Sequence, residues 1–402
     1  MKTNVAVFFG GNSVEHEVSI ISALQAIQNI DREVYDVTPV YIAKNGKMYC
    51  GQKLFDISNF KNVTALLSDC TPIFMTKEDG KVMLKPERPS LFGYKATVID
   101  VAFPIVHGSN CEDGALSGLF ELFSLPYVGC DVLSSAIGMN KAVFKVVLAA
   151  NGVPVLPCVT FSSRSYSNNP ENTIKRLEEK IGYPMIIKPV NLGSSVGISK
   201  VDNLQELYDA ISLACSFSDD ILAERAIENL REINCSVIGY GDEISVSECE
   251  EPIMHDKILS YKDKYQGGAK GSKGTKGSKS SGGMSSLSRL LPAPITEEEK
   301  ATVQKHACAA FKAIGAHGVS RIDFLMDDKT KEIYVNEINT IPGSLAFYLW
   351  EATGIKYTEL LSKLISLAFV RKRRKDALNY SVDTDILSGF IGKSGGSKGK
   401  LG

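Results

Sequence analysis

The apolar positions of the chain follow two different patterns in succession. In the N-terminal third, continuous apolar runs at 5–9, 34–42 and 98–106 are separated by polar loops, and apolar residues recur at near-helical spacing over 18–27. Such runs are typical of buried strands that alternate with helices in a parallel sheet. The pattern predicts an α/β domain whose ligands bind at the carboxyl ends of its strands. Asn45-Gly46 predicts a tight hairpin turn in which both residues have positive φ.

The second pattern begins near residue 155, where short apolar strands follow one another with few helices between them. They are predicted at 155–161, 185–190, 198–201, 221–227, 233–239, 244–248, 319–326 and 332–340. This succession is typical of an α+β module with antiparallel sheets. Two further helices are predicted at 296–314 and 357–370, and a capping box of Thr296 and Glu299 opens the first of them.

The change of pattern sets the predicted domain limits. We predict an N-terminal α/β substrate domain at 1–138, a central lobe at 139–235, a C-terminal lobe at 236–370 and a basic, flexible tail at 371–402. Within the C-terminal lobe, residues 267–283 are low in complexity and rich in Gly, Lys and Ser. They predict either a disordered insert or a mobile basic lid over an anionic ligand.

Composition and charge narrow the class of protein. The 402 residues carry a formal net charge of −1, so the sequence predicts neither a nucleic-acid nor a membrane partner. The apolar runs are too short to span a bilayer, and the N-terminus predicts a buried strand rather than a signal peptide. Nine cysteines without a Cys-x-x-Cys motif predict reduced thiols and a cytoplasmic location.

Two apolar strands near the C-terminus carry charged residues at alternate positions. Arg321 and Asp323 lie in one strand, and Glu337 and Asn339 lie in the other. Because strand side chains alternate between faces, each pair points to one side, and neighbouring strands would bring the two pairs together. Two carboxylates and an amide oxygen are suitable ligands for Mg²⁺. The alternative is a surface ion pair, although such apolar strands make it the weaker interpretation.

Three other segments indicate anion or amino-acid binding. Lys188 ends a buried strand, and the loop that follows it, 193–197, offers backbone N–H groups and hydroxyls for phosphate oxygens; a plain hairpin is an equal alternative. Glu224 at a strand end, with Glu232 beyond it, would suit an adenine amino group and ribose hydroxyls. Gly10-Gly11 before a helix, with Glu15, describes a site for a carboxylate and an ammonium group.

Taken in order, the motifs resemble the D-alanine–D-alanine ligase family of the ATP-grasp fold. The resemblance extends to about residue 370 and rests on Gly10 to Ser19, His107-Gly108 with Glu112 to Gly114, Met139 to Lys141, Lys188-Pro189 with Gly193 to Gly197, Lys264-Tyr265, Arg321 to Asp323, and Asn336 to Thr340 with Pro342-Gly343. It implies a parallel-sheet pre-ATP-grasp domain followed by a two-lobed ATP-grasp module. The implied activity is ATP-dependent joining of two D-alanines through an acyl phosphate, for peptidoglycan precursors.

The resemblance also implies roles for individual residues. The implied ATP-binding residues are Lys141, Lys188, Ser194, Ser195, Glu224, Arg225, Ala226, Ile227, Glu232, Lys264 and Arg321. Two Mg²⁺ ions, for which Mn²⁺ substitutes, would be held by Asp323, Glu337 and Asn339. Glu15 and His107 would bind the first D-alanine, Ser194 and Tyr265 would form a hydrogen-bonded link with Glu15, and Arg321 with the Gly343 N–H would stabilise an oxyanion. A lid near 264–285 and a homodimer are implied as well.

The chain departs from the family pattern at one position that matters for specificity. Tyr348 falls where many members carry a serine that lines the acceptor site. The acceptor therefore stays open between D-alanine, D-serine and another small amino acid. A different alternative is a non-catalytic nucleotide-binding or regulatory protein. A Rossmann oxidoreductase is excluded because the Gly-x-Gly-x-x-Gly fingerprint is missing.

Overall fold

The computed structural model describes residues 2–88, 95–193, 196–253 and 289–380. Four predicted site residues, Ser194, Ser195, Lys264 and Tyr265, lie outside the described residues. The predicted insert at 267–283 and the part of the predicted tail from 381 onward lie outside them as well.

The helices and strands are as follows. The helices are α1 (His16–Asn29), α2 (Val63–Ser68), α3 (Ala115–Phe123), α4 (Val132–Met139), α5 (Lys141–Ala150), α6 (Ser163–Asn168), α7 (Pro170–Lys180), α8 (Leu204–Cys215), α9 (Glu297–Ala313), α10 (Phe347–Ala352) and α11 (Tyr357–Asp376). The strands are β1 (Thr3–Gly10), β2 (Tyr35–Ile42), β3 (Met48–Cys50), β4 (Thr71–Glu78), β5 (Lys81–Pro86), β6 (Thr97–Ile99), β7 (Val101–Pro104), β8 (Cys158–Ser162), β9 (Met185–Pro189), β10 (Ser199–Val201), β11 (Asp220–Arg225), β12 (Leu230–Tyr240), β13 (Glu243–Pro252), β14 (Arg289–Leu290), β15 (His317–Asp327) and β16 (Ile333–Asn339).

The N-terminal sheet contains the predicted parallel strands and extends beyond them. Its order is β6-β5-β4-β3-β2-β1-β7, with β1 parallel to both β2 and β7. The apolar run of β1 is fully buried because the sheet is covered on both faces, by α1 on one of them. Strands β3 to β6 add an antiparallel half, of which the sequence pattern predicted only the hairpin between β2 and β3.

Two local predictions in this sheet are wrong. The predicted strand at 98–106 is divided at the exposed residue Asp100, whose carboxylate accepts a hydrogen bond from the Asn4 N–H at 2.8 Å. As a result, β6 pairs with β5 and β7 pairs with β1. The hairpin between β2 and β3 exists, but only Gly46 of the predicted turn pair has positive φ, because the connection is longer than two residues.

Two antiparallel sheets form the rest of the fold, in agreement with the predicted α+β pattern. The central sheet has the order β10-β9-β11-β8, and the C-terminal sheet has the order β14-β13-β12-β15-β16. Helix α9 packs on the C-terminal sheet through an apolar stripe that includes Val303, Ala307 and Phe311. Its predicted capping box is confirmed by reciprocal bonds between Thr296 and Glu299. The domain limits themselves stay predictions.

The last helix is longer than the sequence pattern predicted. The basic residues from 371 were assigned to a flexible tail, but α11 continues through Asp376. Arg371 is buried, and its guanidinium donates to the backbone oxygens of Gly129 and Tyr127 at 2.6 and 3.1 Å. The first part of the predicted tail thus fastens α11 to the N-terminal domain. All nine cysteines are free thiols, as predicted.

Trp350 is the largest side chain in the core that joins the N-terminal sheet, α11 and the C-terminal sheet. It is buried, and its Nε1–H donates to Ser236 Oγ at 3.0 Å. We expect Trp350→Ala to lower the free energy of unfolding by about 3–5 kcal/mol, because it leaves a large cavity. Trp350→Phe should cost less. Urea denaturation followed by far-UV circular dichroism measures both, with the exposed Leu122→Ala as a control that should change little.

Candidate active site

A row of polar side chains crosses four strands of the C-terminal sheet. Glu250 on β13 faces Asn234 on β12, Asn234 faces Asp323 on β15, and Asp323 faces Glu337 on β16. Directly opposed residues in an antiparallel pair lie on the same face, so the four side chains form one line. With neighbouring strands about 4.8 Å apart, the line is roughly 14 Å long. The predicted juxtaposition of the two C-terminal strands is therefore present.

The β16 end of this row carries the predicted metal ligands. Arg321 faces Asn339 across the strands, and its Nε and Nη2 donate to the two carboxylate oxygens of Asp323 at 2.6 and 2.7 Å. Asn339 Nδ2 donates to the same carboxylate at 3.0 Å. Asp323, Glu337 and Asn339 thus supply two carboxylates and an amide, a donor set that fits Mg²⁺. Within the described ranges, no group of three or more His, Cys, Asp or Glu side chains could hold a metal. The present set does not meet that criterion because it has two such side chains, Asp323 and Glu337, and its third member is an asparagine.

Two lysines one turn apart on α5 each contact a different carboxylate. Lys141 Nζ lies 3.1 Å from Glu337 Oε2 and donates to the Leu192 backbone oxygen at 2.7 Å. Lys145 Nζ lies 2.9 Å from Glu224 Oε2. Residues four apart on a helix share one face, so α5 aligns both ammonium groups along the seam between the central and C-terminal sheets.

Glu224 is the centre of a buried charged cluster. Lys188 Nζ lies 2.5 Å from Glu224 Oε1 and also donates to Asn336 Oδ1 on β16 at 3.1 Å. Burial opposes ionisation of Glu224, but Lys188 and Lys145 outweigh this effect and lower its pKa to about 2. Two lysines against one carboxylate leave an excess positive charge, which suits an anionic ligand such as a phosphate. The sequence predicted that Lys188 needs an anion, but Lys145 was missed.

The remaining predicted adenine residues follow Glu224 at the end of β11. Arg225 is exposed, and Ala226 is buried with its N–H bonded to the Pro184 oxygen at 3.0 Å. Ile227 is half-buried beside them. Glu232, two positions before Asn234 on β12, shares the face of the polar row and lines the cleft.

Loops of the N-terminal domain close the other side of the cleft. Gly10 and Gly11 have positive φ and bring the chain into α1, at whose start Glu15 is buried. A Cβ atom at Gly108 or at Gly193 would lie 3.0 Å from Glu15 Oε2, so both backbones pack directly against this carboxylate. Gly193 immediately precedes Ser194, one of the predicted partners of Glu15.

His107 connects this side to the C-terminal lobe through a directed chain of hydrogen bonds. Its Nδ1 lies 2.8 Å from the Ile341 oxygen and must donate, because a carbonyl only accepts. Nε2 then accepts from the Ser22 hydroxyl at 3.0 Å, and Ser22 Oγ accepts from the Ser344 N–H at 2.9 Å. Burial lowers the pKa of His107, although Glu15 acts in the opposite direction. The lowered pKa favours the neutral imidazole, and the bond to the Ile341 oxygen places its proton on Nδ1.

Gly343 lines the cleft beside this chain of bonds. The next three residues, Ser344, Leu345 and Ala346, all have left-handed backbone angles, with φ between 51° and 54°. Consecutive left-handed non-glycine residues are strained and persist only where the surrounding structure holds them. The Ser344 hydroxyl, which donates to Gln25 Oε1 at 2.6 Å, is one of these supports.

Three candidate functional residues lie at the β14 end of the row: Arg289, Glu250 and Tyr348. The sequence pattern indicated only Tyr348. Arg289 Nη1 donates to Glu250 Oε2 at 2.7 Å, and the Tyr348 hydroxyl donates to Glu250 Oε1 at 2.9 Å. Arg289 and Glu250 line the cleft, whereas Tyr348 is not among the described residues that line it. The alternation of polar residues along β12 and β13 was a signal for this face, but it could not show which strands are neighbours.

The cleft between these walls encloses about 1070 Å³, including space open to solvent. Of the predicted residues, those that line it are Glu15, His107, Lys141, Glu232, Arg321, Asp323, Glu337, Asn339 and Gly343. One end presents the Glu15 carboxylate, and the other presents the predicted metal ligands together with Lys141. Such an arrangement can hold a small zwitterion next to a metal-bound phosphate.

Comparison with known proteins agrees with this geometry. The protein-family model of the D-ala D-ala ligase N-terminus matches residues 4–130. The family model of the D-ala D-ala ligase C-terminus matches residues 147–366. A D-alanine–D-alanine ligase of Thermosipho melanesiensis is 39% identical over 391 residues, which are 97% of this chain and 99% of that protein. The chain belongs to the D-alanine–D-alanine ligase family. Membership implies an ATP-dependent ligase that uses a divalent metal ion.

Solved structures give the same family and leave the acceptor open. The D-alanine–D-alanine ligase of Coxiella burnetii is similar with a TM-score of 0.78 and 30% identity, covering 94% of this chain and 96% of that one. The VanG D-Ala:D-Ser ligase of Enterococcus faecalis has a TM-score of 0.74 and 31% identity, with 92% and 100% covered. Both kinds of acceptor therefore occur among similar folds.

One finding bears on membranes. Within the described residues, no single helix has the length and apolar character to cross a bilayer. The pair α4 and α5 meets that criterion only when the two helices are joined across a 105° bend.

Glu112 is a further cleft residue to which the sequence assigned no role. Its Oε2 accepts from the Gly108 N–H at 3.0 Å, and its Oε1 accepts from the Ile341 N–H at 2.9 Å, so it links the two walls. Burial, and then the charge of Glu15, raise its pKa to about 7.

A raised carboxyl pKa means that the folded state binds the proton more tightly than the unfolded state. The stability contribution of Glu112 is therefore full below about pH 4.5 and is lost as the pH rises through about 7. Relative to Glu112→Gln, the unfolding free energy of the wild type should fall by about 3 kcal/mol across this range. Urea denaturation at several pH values measures it. The control Glu33→Gln, which changes an exposed residue, should have the same pH dependence of the unfolding free energy as the wild type. The same pH dependence in Glu112→Gln and in the wild type would contradict the expectation.

Proposed function

We propose that this protein joins two D-alanine molecules to D-alanyl-D-alanine, a peptidoglycan precursor, with ATP as the phosphoryl donor. The observation that carries the proposal is the polar row of the C-terminal sheet, which faces Glu15 and His107 across one cleft. A non-catalytic nucleotide-binding protein would not need Arg321, Asp323 and Glu337 side by side on one face that lines the same cleft as Glu15.

ATP binds at the seam between the two antiparallel sheets in this proposal. Lys141 and Lys188 bind its phosphates, Glu224 accepts from the adenine amino group, and Glu232 binds the ribose. Arg225, Ala226 and Ile227 surround the base. The excess charge of the cluster of Lys145, Lys188 and Glu224 supports the placement of an anion here. Ser194, Ser195 and Lys264 complete the proposed ATP site outside the described residues.

Two Mg²⁺ ions would be held by Asp323, Glu337 and Asn339, and Mn²⁺ would replace them. When bound, such ions offset the charge of the phosphates during phosphoryl transfer. Arg321 and Lys141 form ion pairs with Asp323 and Glu337, which fixes the positions of both carboxylates.

The first D-alanine is oriented by the N-terminal domain. Glu15 binds its ammonium group, and Tyr265 with Ser194 would extend this contact beyond the described residues. Neutral His107 lies beside it without adding a charge that would repel the ammonium. The carboxylate then attacks the γ-phosphorus of ATP, which gives an acyl phosphate and ADP. The amine of the second D-alanine attacks the acyl carbon, and inorganic phosphate leaves when the tetrahedral intermediate collapses to the amide. Arg321 and the Gly343 N–H stabilise the negative oxygen of the tetrahedral intermediate.

D-Serine is the second candidate acceptor. It is favoured by the presence of Tyr348 where the family resemblance predicts a serine, and by the similar D-Ala:D-Ser ligase structure. The family resemblance also predicts a homodimer, which sedimentation velocity would test. The predicted location is the cytoplasm, where ATP is available.

Product analysis tests the proposal directly. The full-length protein is incubated with ATP, Mg²⁺ and D-alanine alone, D-alanine with D-serine, or L-alanine, and phosphate and dipeptides are measured. D-Alanyl-D-alanine with stoichiometric phosphate from D-alanine alone is the expected result. A product only in the mixed reaction would establish the D-serine alternative, and ATP binding without phosphate release would favour a non-catalytic protein.

Glu337→Gln should lower kcat by about 100-fold or more, because it removes a metal-binding charge. Steady-state phosphate release at several Mg²⁺ concentrations measures the effect. The matched control is Glu332→Gln, which changes an exposed carboxylate on the same hairpin and should leave kcat unchanged. A normal rate for Glu337→Gln at saturating Mg²⁺ would reject the metal assignment.

Arg321→Ala should lower kcat by about 100- to 1000-fold and change ATP affinity less, because its proposed contact strengthens in the transition state. The rate of ligation and the Kd of ATP, measured separately, distinguish the two effects. An unchanged kcat, or a loss confined to ATP binding, would contradict an oxyanion role.

A further inference from the structure

Three side chains at the β14 end of the polar row form one contact unit, which we call the Arg289 clamp: Arg289, Glu250 and Tyr348. Glu250 joins the other two, since its Oε2 accepts from Arg289 and its Oε1 accepts from the Tyr348 hydroxyl. The Arg289 guanidinium carbon lies 3.7 Å from the centre of the Tyr348 ring. Asn234 Nδ2 also donates to Glu250 at 3.1 Å. The guanidinium is thus held by a carboxylate and an aromatic face together.

The clamp is built into the interior of the protein. The side chain of Arg289 is 11% exposed and that of Glu250 is 3% exposed. Because burying these charges is costly, the pair is not an ordinary solvent-exposed ion pair. The neighbouring pair of Arg231 and Glu251 provides a contrast. It is also an arginine–glutamate pair, here with two hydrogen bonds, but successive strand residues point to opposite faces, and neither residue is among the described residues that line the cleft.

The clamp lies next to the proposed reaction centre. Asn234 stands between Glu250 and Asp323 in the polar row, and Asp323 holds Arg321. Glu250 and Tyr348 are also close enough to contribute to the electrostatic environment of Arg321. The metal ligand Glu337 is at the opposite end of the row. The clamp is therefore on the side of Arg321 that is away from the proposed phosphate site.

A cation at this position would neutralise the carboxylate of the acceptor amino acid. Its amine must face the acyl carbon, near Arg321 and Gly343, while its carboxylate points away from the phosphate. Besides Arg321, the lysine and arginine side chains that line the cleft in the described part of the chain are Lys141 and Arg289. Lys141 is paired with Glu337 at the phosphate end. Arg289 is the remaining cation on the acceptor side, and its planar fork matches a carboxylate.

We propose that Arg289 binds the α-carboxylate of the acceptor amino acid, and that Glu250 and Tyr348 are positioning residues for its guanidinium. This inference rests on the proposed ligation and assigns the acceptor end of the same cleft. It also explains the departure at Tyr348: the aromatic ring supports a guanidinium, which contacts the acceptor in place of a side-chain hydroxyl. The clamp selects small amino acids with a free α-carboxylate.

A competition between two acceptors tests the proposal. The full-length protein receives ATP, Mg²⁺ and D-alanine together with D-alaninamide, which has an amine but no carboxylate to bind or to phosphorylate. The ratio of D-alanyl-D-alanine to D-alanyl-D-alaninamide is measured by mass spectrometry. Both products come from one acyl phosphate, so the ratio is independent of ATP binding, donor activation and the fraction of folded enzyme.

We expect Arg289→Met to lower this ratio by roughly 10- to 100-fold, the loss of one charge-assisted contact. Arg289→Lys should give an intermediate ratio, because lysine keeps the positive charge but lacks the paired N–H donors of the planar guanidinium. Tyr348→Phe, which keeps the ring and removes the hydroxyl bonded to Glu250, should give a smaller decrease. Arg231→Met is the matched control, an arginine removed from the opposite face of the same sheet, and its ratio should equal that of the wild type.

Two results would overturn the proposal in distinguishable ways. If the wild type ligates D-alanine and the ratio is unchanged in Arg289→Met, Arg289 does not bind the acceptor carboxylate, although the proposed function stands. If the wild type forms neither product, the proposed function fails and this inference fails with it. Should Arg289→Met be too unstable to isolate, the ratio for Arg289→Lys decides, because a wild-type value would also reject the proposal.

Discussion

The pairing of β15 with β16 is the constraint on which the site depends. Its register sets Asp323 opposite Glu337 and Arg321 opposite Asn339, and it places all four on one face of the two strands. A shift by one residue would turn these side chains toward the core that packs under α9. Burying them there without partners would cost several kcal/mol for each charge. The apolar positions of both strands therefore fix the geometry of the polar ones.

Three ion pairs lie around the cleft: Arg321 neutralises Asp323, Lys141 neutralises Glu337, and Glu250 neutralises Arg289. In the cluster of Lys145, Lys188 and Glu224, by contrast, two ammonium groups meet one carboxylate. An excess of positive charge at the proposed phosphate site and a balanced reaction centre agree with a ligase whose substrates bring both negative phosphate and a zwitterion.

The two walls of the cleft come from parts of the chain that are far apart in sequence. Glu112 and His107 contact the backbone of Ile341, and Ser22 contacts the backbone of Ser344. These bonds run between side chains of the N-terminal domain and the segment that follows β16, whose left-handed residues they help to hold. The amino-acid end and the phosphate end of the site are aligned by the same contacts.

The sequence by itself determined the elements and the chemistry, and the tertiary structure decided which residues meet. Apolar periodicity predicted β1, α1 and the C-terminal strands, and the spacing of Arg321, Asp323, Glu337 and Asn339 predicted a shared face. These features are local, because alternation and capping act over a few residues. The antiparallel half of the first sheet, the burial of Arg371, and the partnership of Arg289 with Glu250 and Tyr348 were not predictable in this way. They depend on contacts between segments tens to hundreds of residues apart, and one sequence contains no signal for which of many charged residues will become neighbours.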